Sequence, residues 1–460
     1  MLKLYNTLSR KIEDFIPLKD NQVGLYTCGV TVYDYTHIGH LYKYVGDDVL
    51  KRVLRANGYQ VKHVMNVTDV GHLESDADEG GDKMEKGAKK AGKTVWEVAK
   101  FFENYSWESL AKINFETPDI ICRATEHIPQ QINLIQQLEE KGFTYQTPQA
   151  IYFDVTKFPD YTKLSGQKLE DKEIGSRDEV KVDPLKKHPA DFALWFFTVG
   201  HFENHAMHWS SPWGEGFPGW HIECSAMSME YLGETIDIHT GGVDHIAVHH
   251  TNEIAQSEAA TGKQFTKYWV HHEHMMIDGE KMSKSKGNFY KIEEIIERGF
   301  DPLALRYLFL TAHYRDQMNF TWESLQAAQT ALNNLRSEIR SWEEAKGDPS
   351  HFYQKFLESA NNDLNTPQAV AVMWEMVKSD GTTFSKSNDL LAMDKILGLD
   401  LEKYLGKPLV IPEEVQILAD QREVARQSKD FKTSDDLRFK IQDLGYEVED
   451  TADGPRIKKL

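Results

Sequence analysis

Cysteine is scarce in this sequence, and long apolar runs are missing. Only three cysteines occur among 460 residues, at positions 28, 122 and 224, and so small and odd a number argues against a framework of disulfide bonds. No stretch of about 18 apolar residues is present, so we expect no membrane-spanning helix. The N-terminal segment has neither the apolar core nor the cleavage site of a secretory signal. We therefore expect a cytoplasmic protein whose thiols are available as metal ligands or nucleophiles.

Net positive charge is also missing, since the formal net charge is −19 at pH 7. The excess of acidic residues is uneven: residues 421–460 contain nine basic and nine acidic residues, so the first 420 residues carry all of it. So acidic a chain is not expected to coat nucleic acid non-specifically. If the protein binds a nucleic acid, we expect local basic patches to make the contacts.

Patterns in the first 70 residues predict the start of a parallel α/β sheet. Residues 22–33 are rich in β-branched and aromatic side chains and predict a strand. Residues 38–57 carry apolar side chains every four positions and predict a helix that Gly58 ends. Residues 62–70 predict the next strand. This β-loop-α-β order, with glycines in the crossover, is typical of the α/β class.

The rest of the chain changes in character three times. Residues 126–200 interrupt the α/β pattern and predict an insertion, after which the sheet resumes near residues 219–245. From about residue 302 the pattern is helical, and the predicted helices are 301–314, 321–345 and 352–380. Beyond a linker at 410–412, two short helices and two strands around an Asp-Gly turn are predicted.

The segment Thr36-His37-Ile38-Gly39-His40 lies between the first predicted strand and the first helix. The N-terminus of a helix offers free N–H groups and a favourable dipole to a phosphate. Gly39 lets a nucleotide approach the backbone, and two imidazoles can donate hydrogen bonds to charge that develops on a phosphoryl group. Two surface histidines beside a turn are the alternative interpretation.

The segment Lys281-Met282-Ser283-Lys284-Ser285 lies in a polar loop after the second half of the predicted sheet. Lysines on such a loop suit the neutralisation of a pyrophosphate leaving group. A solvated basic loop is the alternative. Taken together, the two segments resemble the paired HIGH and KMSKS motifs of class I aminoacyl-tRNA synthetases.

That resemblance implies an ATP site and assigns roles in it to particular residues of this chain. Catalytic roles fall to His37, His40, Lys281 and Lys284. The ATP-binding residues that it implies are Gly39, Gly241, Gly242, Asp244 and Lys284. The residue types agree with this, because an acidic side chain after a strand end can bind ribose hydroxyls.

Four further residues could hold a metal ion: Cys28, Cys224, His249 and Glu253. The last two are four positions apart on a predicted helix, so they share one face, and two thiolates, an imidazole and a carboxylate suit zinc. Cysteines that are merely buried small hydrophobes are the alternative. Spacing alone also leaves other ligands open, namely His245, His250, His271 and His272.

Three longer segments resemble bacterial cysteinyl-tRNA synthetases: YTCGVTVYDYTHIGH, PGWHIECSAMSMEYLG and HHTNEIAQSEAATG. In that family the matching Cys, Cys, His and Glu hold a zinc ion that binds the substrate sulfur. The resemblance thus implies one zinc ion per chain, ATP with Mg²⁺, cysteine and the tRNA for cysteine as ligands, and a monomer without membrane contact. It places Gly29, Thr31, Thr68 and Trp220 in the cysteine pocket.

A zinc–thiolate bond would explain how cysteine is distinguished from serine. A pocket that discriminates by shape reaches only about 10²-fold selectivity, whereas zinc prefers sulfur to a hydroxyl oxygen. The chain departs from the family at Thr251, where the family commonly has Glu, and at Ala247-Val248, where it has Phe-Pro. These departures affect the shape of the pocket and none of the four ligands.

The resemblance also implies an order of domains. The first domain is a Rossmann-like catalytic domain with a parallel sheet, and an insertion splits it. An α-helical bundle follows, and then a small C-terminal α/β domain that reads the anticodon. The expected boundaries are 1–125, 126–205, 206–315 with the KMSKS loop, 316–409 and 410–460. A related ligase that joins cysteine to an amino sugar would lack the last domain, and a catalytically idle paralogue would not need intact motifs.

Overall fold

The computed structural model describes the chain except for residues 71–72, 76–78, 168–183, 284–285, 345, 452–453 and 460. Residues 168–183 of the predicted insertion and the predicted catalytic residue Lys284 therefore lie outside the described residues. Among the described helices, none combines the length and the hydropathy that crossing a membrane requires.

The first 125 residues build one half of the central sheet. A short antiparallel pair precedes it, and a small hairpin lies between its strands and the helices that follow. The elements are β1 (Lys3–Asn6), β2 (Lys11–Asp14), β3 (Gln22–Thr31), α1 (Ile38–Ala56), β4 (Gln60–Thr68), β5 (Leu73–Ser75), β6 (Glu79–Asp82), α2 (Lys83–Ala91), α3 (Val95–Lys112) and β7 (Ile120–Arg123).

The next segment forms a separate antiparallel sheet with the strand order β11-β12-β10-β9-β8. This sheet extends to Pro218, beyond the boundary expected at residue 205, because β12 pairs with β10 and β11 pairs with β12. Its elements are α4 (Ile128–Glu140), β8 (Thr144–Gln146), β9 (Ala150–Phe153), β10 (Phe192–Phe197), β11 (Trp209–Ser211) and β12 (Gly214–Pro218).

The chain then returns to the central sheet and completes it. The elements are α5 (Trp220–Leu232), β13 (Ile236–Gly242), α6 (His249–Thr261), β14 (Thr266–His272), β15 (Met275–Ile277), β16 (Glu280–Lys281), α7 (Ile292–Glu297), α8 (Pro302–Leu310) and β17 (Met318–Phe320). The central sheet has the order β14-β13-β3-β4-β7, and all its pairs are parallel. The predicted α/β class with a parallel sheet is confirmed.

Parallel strands end at one edge, so the carboxyl ends of β3, β4 and β13 lie together. The loop from β3 to α1 carries His37, and the loop after β13 carries Asp244. The topology thereby brings the HIGH segment and the segment Gly241–Asp244 to the same edge of the sheet, although they are far apart in sequence.

Four helices follow the sheet: α9 (Trp322–Ile339), α10 (His351–Asn361), α11 (Thr366–Lys378) and α12 (Thr383–Leu397). The single helix predicted at 352–380 is wrong, because the backbone has positive φ angles of 58° at Asp363 and 55° at Leu364. Such angles cannot continue a right-handed helix. Pro367, in the first turn of α11, was the available sequence signal. Helix α12 has no counterpart among the predicted helices.

The C-terminal segment has a small core of its own. It consists of α13 (Glu413–Gln427), α14 (Phe431–Asp443), β18 (Tyr446–Thr451) and β19 (Gly454–Lys459), and β18 pairs with β19 in an antiparallel hairpin. Val415, Ala419, Ile441 and Val448 form its buried cluster. The two helices and the strand pair agree with the elements predicted there.

Candidate active site and metal centre

Helix α1 begins at the predicted HIGH segment, and His37 caps it. The Nδ1 atom of His37 accepts hydrogen bonds from the backbone N–H groups of Gly39 at 3.1 Å and of His40 at 3.3 Å. His40 Nδ1 in turn accepts from the N–H of His37 at 3.4 Å, and the two rings stack at 3.6 Å. A neutral imidazole that accepts at Nδ1 carries its proton at Nε2. Both histidines therefore present an Nε2–H donor beside the helix N-terminus.

The segment after β16 packs against this first turn. Phe289 meets the His37 ring edge-on at 4.9 Å, and the carbonyl of Tyr290 accepts a hydrogen bond from the N–H of Ile38 at 2.9 Å. A Cβ atom placed on Gly39 would lie 3.4 Å from the methyl group of Met282. The structure thus brings the predicted HIGH and KMSKS segments together. Lys281 ends β16 and is exposed, and Lys284 lies outside the described residues.

Gly241 and Gly242 end β13, and both are places where a side chain would not fit. A Cβ atom on Gly241 would come within 2.4 Å of the His250 ring, and one on Gly242 within 2.3 Å of Asp244 Oδ1. The Asp244 carboxylate is therefore folded back over Gly242 while its side chain stays exposed. An exposed carboxylate at a strand end can accept hydrogen bonds from ribose hydroxyls.

The structure brings the four predicted metal ligands into one buried cluster. One donor atom from each of Cys28, Cys224, His249 and Glu253 lies within 4.8 Å of the other three. Strand β3 supplies Cys28, α5 supplies Cys224, and the first turns of α6 supply the other two. His249 Nε2 lies 3.0 Å from Glu253 Oε1, as expected for residues one turn apart on one face.

The charges of this cluster are strongly coupled. Burial by itself lowers the pKa of His249, but Glu253 and Cys224 raise it to about 10. Burial by itself raises the pKa of Glu253, but His239 and His249 bring it down to about 2. Burial raises the pKa of the Cys28 thiol, and the hydrogen bond with Cys28 together with burial raises that of Cys224. Two buried thiols of this kind ionise readily only next to a cation.

The arrangement fits a zinc ion. Zinc bonds of about 2.0–2.3 Å in a tetrahedron place the ligand atoms about 3.3–3.8 Å apart. The observed cluster, with all atoms inside 4.8 Å, needs only a small contraction to reach that geometry. The donor set of two sulfurs, one nitrogen and one oxygen is also of the kind that zinc prefers.

A second group shares two of these residues. Cys28, His239, His250 and Glu253 also place donor atoms within 4.8 Å of one another, so His250 remains a rival ligand. His250 Nδ1 lies 2.7 Å from His271 Nε2, however, and its Nε2 lies 3.3 Å from the Cys28 sulfur. The group with two thiols is the softer donor set and suits zinc better.

The other rival ligands lie beside these groups and contact other partners. His271 contacts Thr7 and His250, and His272 contacts Asp47. His245 packs against the rings of Trp220 and His250. Within the part of the chain that the structure describes, none of these three histidines belongs to either group of potential ligands.

Two buried histidines at the cluster were not predicted. His239 Nε2 donates to Glu253 Oε2 at 3.0 Å, and His221 Nδ1 lies 2.9 Å from His249 Nδ1. Both therefore contact a proposed ligand and orient it, as outer-shell partners do in metal sites. A histidine in the middle of the strand segment TIDIHTGG was the available signal for His239, because a buried strand is otherwise apolar.

Two of the residues expected in the cysteine pocket, Gly29 and Trp220, lie next to this cluster. Gly29 follows Cys28 in β3, and Trp220 stacks on the ring of His249 at 4.2 Å. Thr31 and Thr68 are directly paired at the ends of β3 and β4.

Comparison with known proteins gives a consistent result. Residues 14–330 match the family of tRNA synthetases class I (C) catalytic domain. The chain is similar to "Cysteine--tRNA ligase 1" of Burkholderia lata, with 46% identity over 99% of this chain and 96% of that protein. It is also similar to the "Cysteine--tRNA ligase" of Treponema denticola, with 42% identity over the whole length of both.

Solved structures show the same fold at much lower identity. The methionyl-tRNA synthetase of Mycobacterium tuberculosis, in complex with methionyl-adenylate, superimposes with a TM-score of 0.57. The match covers 83% of this chain and 93% of that one at 14% identity. Likeness at that identity indicates a shared architecture.

Proposed function

This chain belongs to the cysteine–tRNA ligases, a family of class I aminoacyl-tRNA synthetases, and we propose that a zinc ion selects its substrate. The reaction joins cysteine to ATP, releases pyrophosphate, and then transfers the cysteinyl group from AMP to the tRNA for cysteine. The proposed ligands are Cys28, Cys224, His249 and Glu253. Bound there, the zinc ion would hold the thiolate of cysteine and thereby exclude serine, whose hydroxyl is a much poorer ligand.

The observation that supports this proposal is the burial of two thiols with a histidine and a glutamate at the edge of the sheet that carries the HIGH segment. Nothing in ordinary packing requires two thiols, an imidazole and a carboxylate to converge. Burying such groups is costly unless they are paired or bind a metal. The cluster lies where open α/β sheets bind their ligands.

The residues around the start of α1 are suited to the ATP step. The Nε2–H groups of His37 and His40 can donate to phosphate oxygens, and the dipole of α1 favours an anion at this end of the helix. We propose that the carboxylate of cysteine attacks the α-phosphate while these donors, with Lys281 and Lys284, stabilise the charge that develops. Gly241, Gly242 and Asp244 are proposed to hold the adenosine, and Mg²⁺ to accompany the ATP.

The remaining assignments extend the same proposal. Gly29, Thr31, Thr68 and Trp220 are proposed to shape the cysteine pocket, and residues 410–460 to read the anticodon. We propose functional borders at 126, 206, 316 and 410, although the antiparallel sheet of the insertion itself continues to Pro218. We propose that the enzyme acts as a monomer in the cytoplasm.

Exchange of pyrophosphate into ATP tests this function directly. We expect exchange that depends on cysteine and that stops when zinc is removed by a chelator and returns when zinc is restored. Serine should support little exchange with zinc present. Full activity of the metal-free protein, or equal use of serine and cysteine, would contradict the proposal.

A further inference from the structure

Strand β3 is irregular at the residue that carries the first thiol. Its register with β4 shifts between Thr27 and Val30, and its pairing with β13 ends at Thr27. Cys28 and Gly29 therefore lie in a bulge. A bulge takes backbone groups out of the ladder and redirects a side chain. The peptide groups of these two residues need other partners, because they are largely buried.

Two side chains supply those partners. Asn66 Oδ1 accepts a hydrogen bond from the N–H of Gly29 at 2.7 Å. Lys43 Nζ donates to the carbonyl oxygen of Cys28 at 2.6 Å. A Cβ atom on Gly29 would lie 1.7 Å from the carbonyl oxygen of Asn66, so the backbone is tightly confined on this side as well. The bulge is thus held from both faces.

The ammonium group of Lys43 also contacts Asp47, which in turn contacts His272. Its Nζ lies 2.8 Å from Asp47 Oδ2, one turn along α1. Asp47 Oδ1 accepts from His272 Nε2 at 2.9 Å, and both Asp47 and His272 are buried. Gly46 lies so close to the His272 ring that a Cβ atom there would approach it to 2.4 Å. The ammonium group is therefore held between the carbonyl oxygen of Cys28 and the carboxylate of Asp47.

We propose that Lys43 is a positioning residue for the metal centre. Its ammonium group holds the Cys28 carbonyl, and the bulge held in this way directs the Cys28 thiol toward Cys224, His249 and Glu253. The same contact joins the helix that begins at His37 to the strand that supplies the ligand, so the phosphate-binding turn and the metal cluster keep their separation. The inference rests on the proposed function, because it requires the cluster to bind zinc.

Lys51 offers a matched control on the same helix. It is buried, and its Nζ donates to the carbonyl of Thr117 at 2.9 Å. The bond is of the same type as that of Lys43, but it lies two turns further along α1 and touches no residue of the cluster. Replacing either lysine should therefore lower the general stability of the protein. Only the replacement of Lys43 should also disturb the metal ligands.

The test compares Lys43→Met with Lys51→Met in the full-length chain. Metal-free protein is titrated with zinc against a chromophoric chelator, and cobalt(II) is added separately to record its thiolate charge-transfer and d–d absorption bands. We expect Lys43→Met to weaken zinc binding about 10–100-fold, the usual effect of outer-shell changes, and to alter the cobalt spectrum. Its KM for cysteine should rise more than its KM for ATP. Lys51→Met should bind both metals as the wild type does.

Wild-type zinc affinity and an unchanged cobalt spectrum in Lys43→Met would overturn the inference, and so would an equal loss of affinity in Lys51→Met. If Lys43→Met fails to fold, Asp47→Asn keeps the shape and removes the counter-charge of the ammonium group. That variant should weaken zinc binding to a smaller extent, and unchanged binding would count against the inference. Failure of the wild-type protein to bind zinc is a separate result that would overturn the zinc assignment itself.

Discussion

The three thiols of this chain lie in one buried cluster of side chains, but they have different polar partners, and we expect different roles for them. Cys28 and Cys224 share a buried cluster with a histidine and a glutamate. Cys122, in β7, donates to the carbonyl of Met65 at 3.6 Å, and burial raises the pKa of its thiol well above its ordinary value. Cys122 therefore behaves as a small apolar residue of the core.

Substitution of single cysteines should separate these roles. We expect Cys224→Ser to lower zinc affinity by at least about 100-fold, because even outer-shell changes cost about 10–100-fold, and to reduce cysteine activation in parallel. Cys122→Ser should change neither quantity. Zinc content by atomic absorption and pyrophosphate exchange give the two readouts. Equal zinc loss in both variants would show that buried sulfur in general, rather than the cluster, decides the metal content.

Lys284 should act on the transition state rather than on the bound substrate. We expect Lys284→Ala to slow formation of cysteinyl-adenylate by about 10²–10³-fold, the cost of losing one donor to developing charge, with little change in cysteine affinity. Rapid-quench measurement of a single turnover, together with equilibrium binding of cysteine, tests this. A parallel loss of affinity and rate would assign Lys284 to ground-state binding.

At the scale of elements, helix α1 buries charged side chains as well as its apolar face, and Asp48 and Arg52 are among them. Asp48 Oδ2 accepts from Arg306 Nη2 at 2.6 Å and from Arg52 Nε at 2.7 Å. Arg306, on α8, also donates to the carbonyls of Ile113 and Leu397. This ionic cluster joins α1, the end of α3, α8 and the end of α12. Helix α1 is thereby attached to the helical bundle.

Breaking this cluster should cost more than breaking a surface ion pair. Arg306→Leu removes one of the two arginines that pair with the buried Asp48 carboxylate, and breaking a buried ion pair costs about 3–5 kcal/mol. Lys403→Met, which removes an exposed pair with Asp400, should cost at most about 1 kcal/mol. Urea unfolding followed by tryptophan fluorescence measures both. Similar midpoints for the two variants would mean that the buried cluster adds little stability.

At the scale of the whole molecule, the C-terminal segment is built as a separate unit. Its apolar side chains form their own cluster, and polar contacts connect it to the bundle, including Arg456 with Glu338 at 3.1 Å and with the carbonyl of Ser337 at 2.8 Å. Losing this segment should therefore leave the core of the rest intact. The segment is also far in sequence from every proposed catalytic residue, so its loss should not disturb them directly.

Truncation after Val410 should separate the two half-reactions. We expect cysteine-dependent pyrophosphate exchange to stay within about twofold of the full-length value, because the active site keeps all its contacts, and charging of the tRNA for cysteine to fall by at least about tenfold. Each factor of ten in kcat/KM for the tRNA corresponds to about 1.4 kcal/mol of lost binding to the transition state. Undiminished charging by the truncated chain would refute a tRNA-reading role for residues 410–460.

The sequence by itself determined the types and the order of the chemical groups, and most of the regular elements. Helix α1, strands β3 and β4 and the elements of the tail follow from periodicity, turn residues and caps, which act over a few positions. The two ATP segments and the four ligand candidates were also readable through their resemblance to known synthetases, because residue types and spacing by themselves left other interpretations open.

Only the tertiary structure decided how those groups meet. Spacing left several histidines open as ligands, and the fold brought His249 to the thiols, His239 to Glu253 and Lys43 to the carbonyl of Cys28. Periodicity marks an apolar face, so it gave no sign that Asp48 on the other side of α1 is also buried. Such contacts depend on segments hundreds of residues apart, and no local pattern encodes which of them will pack together.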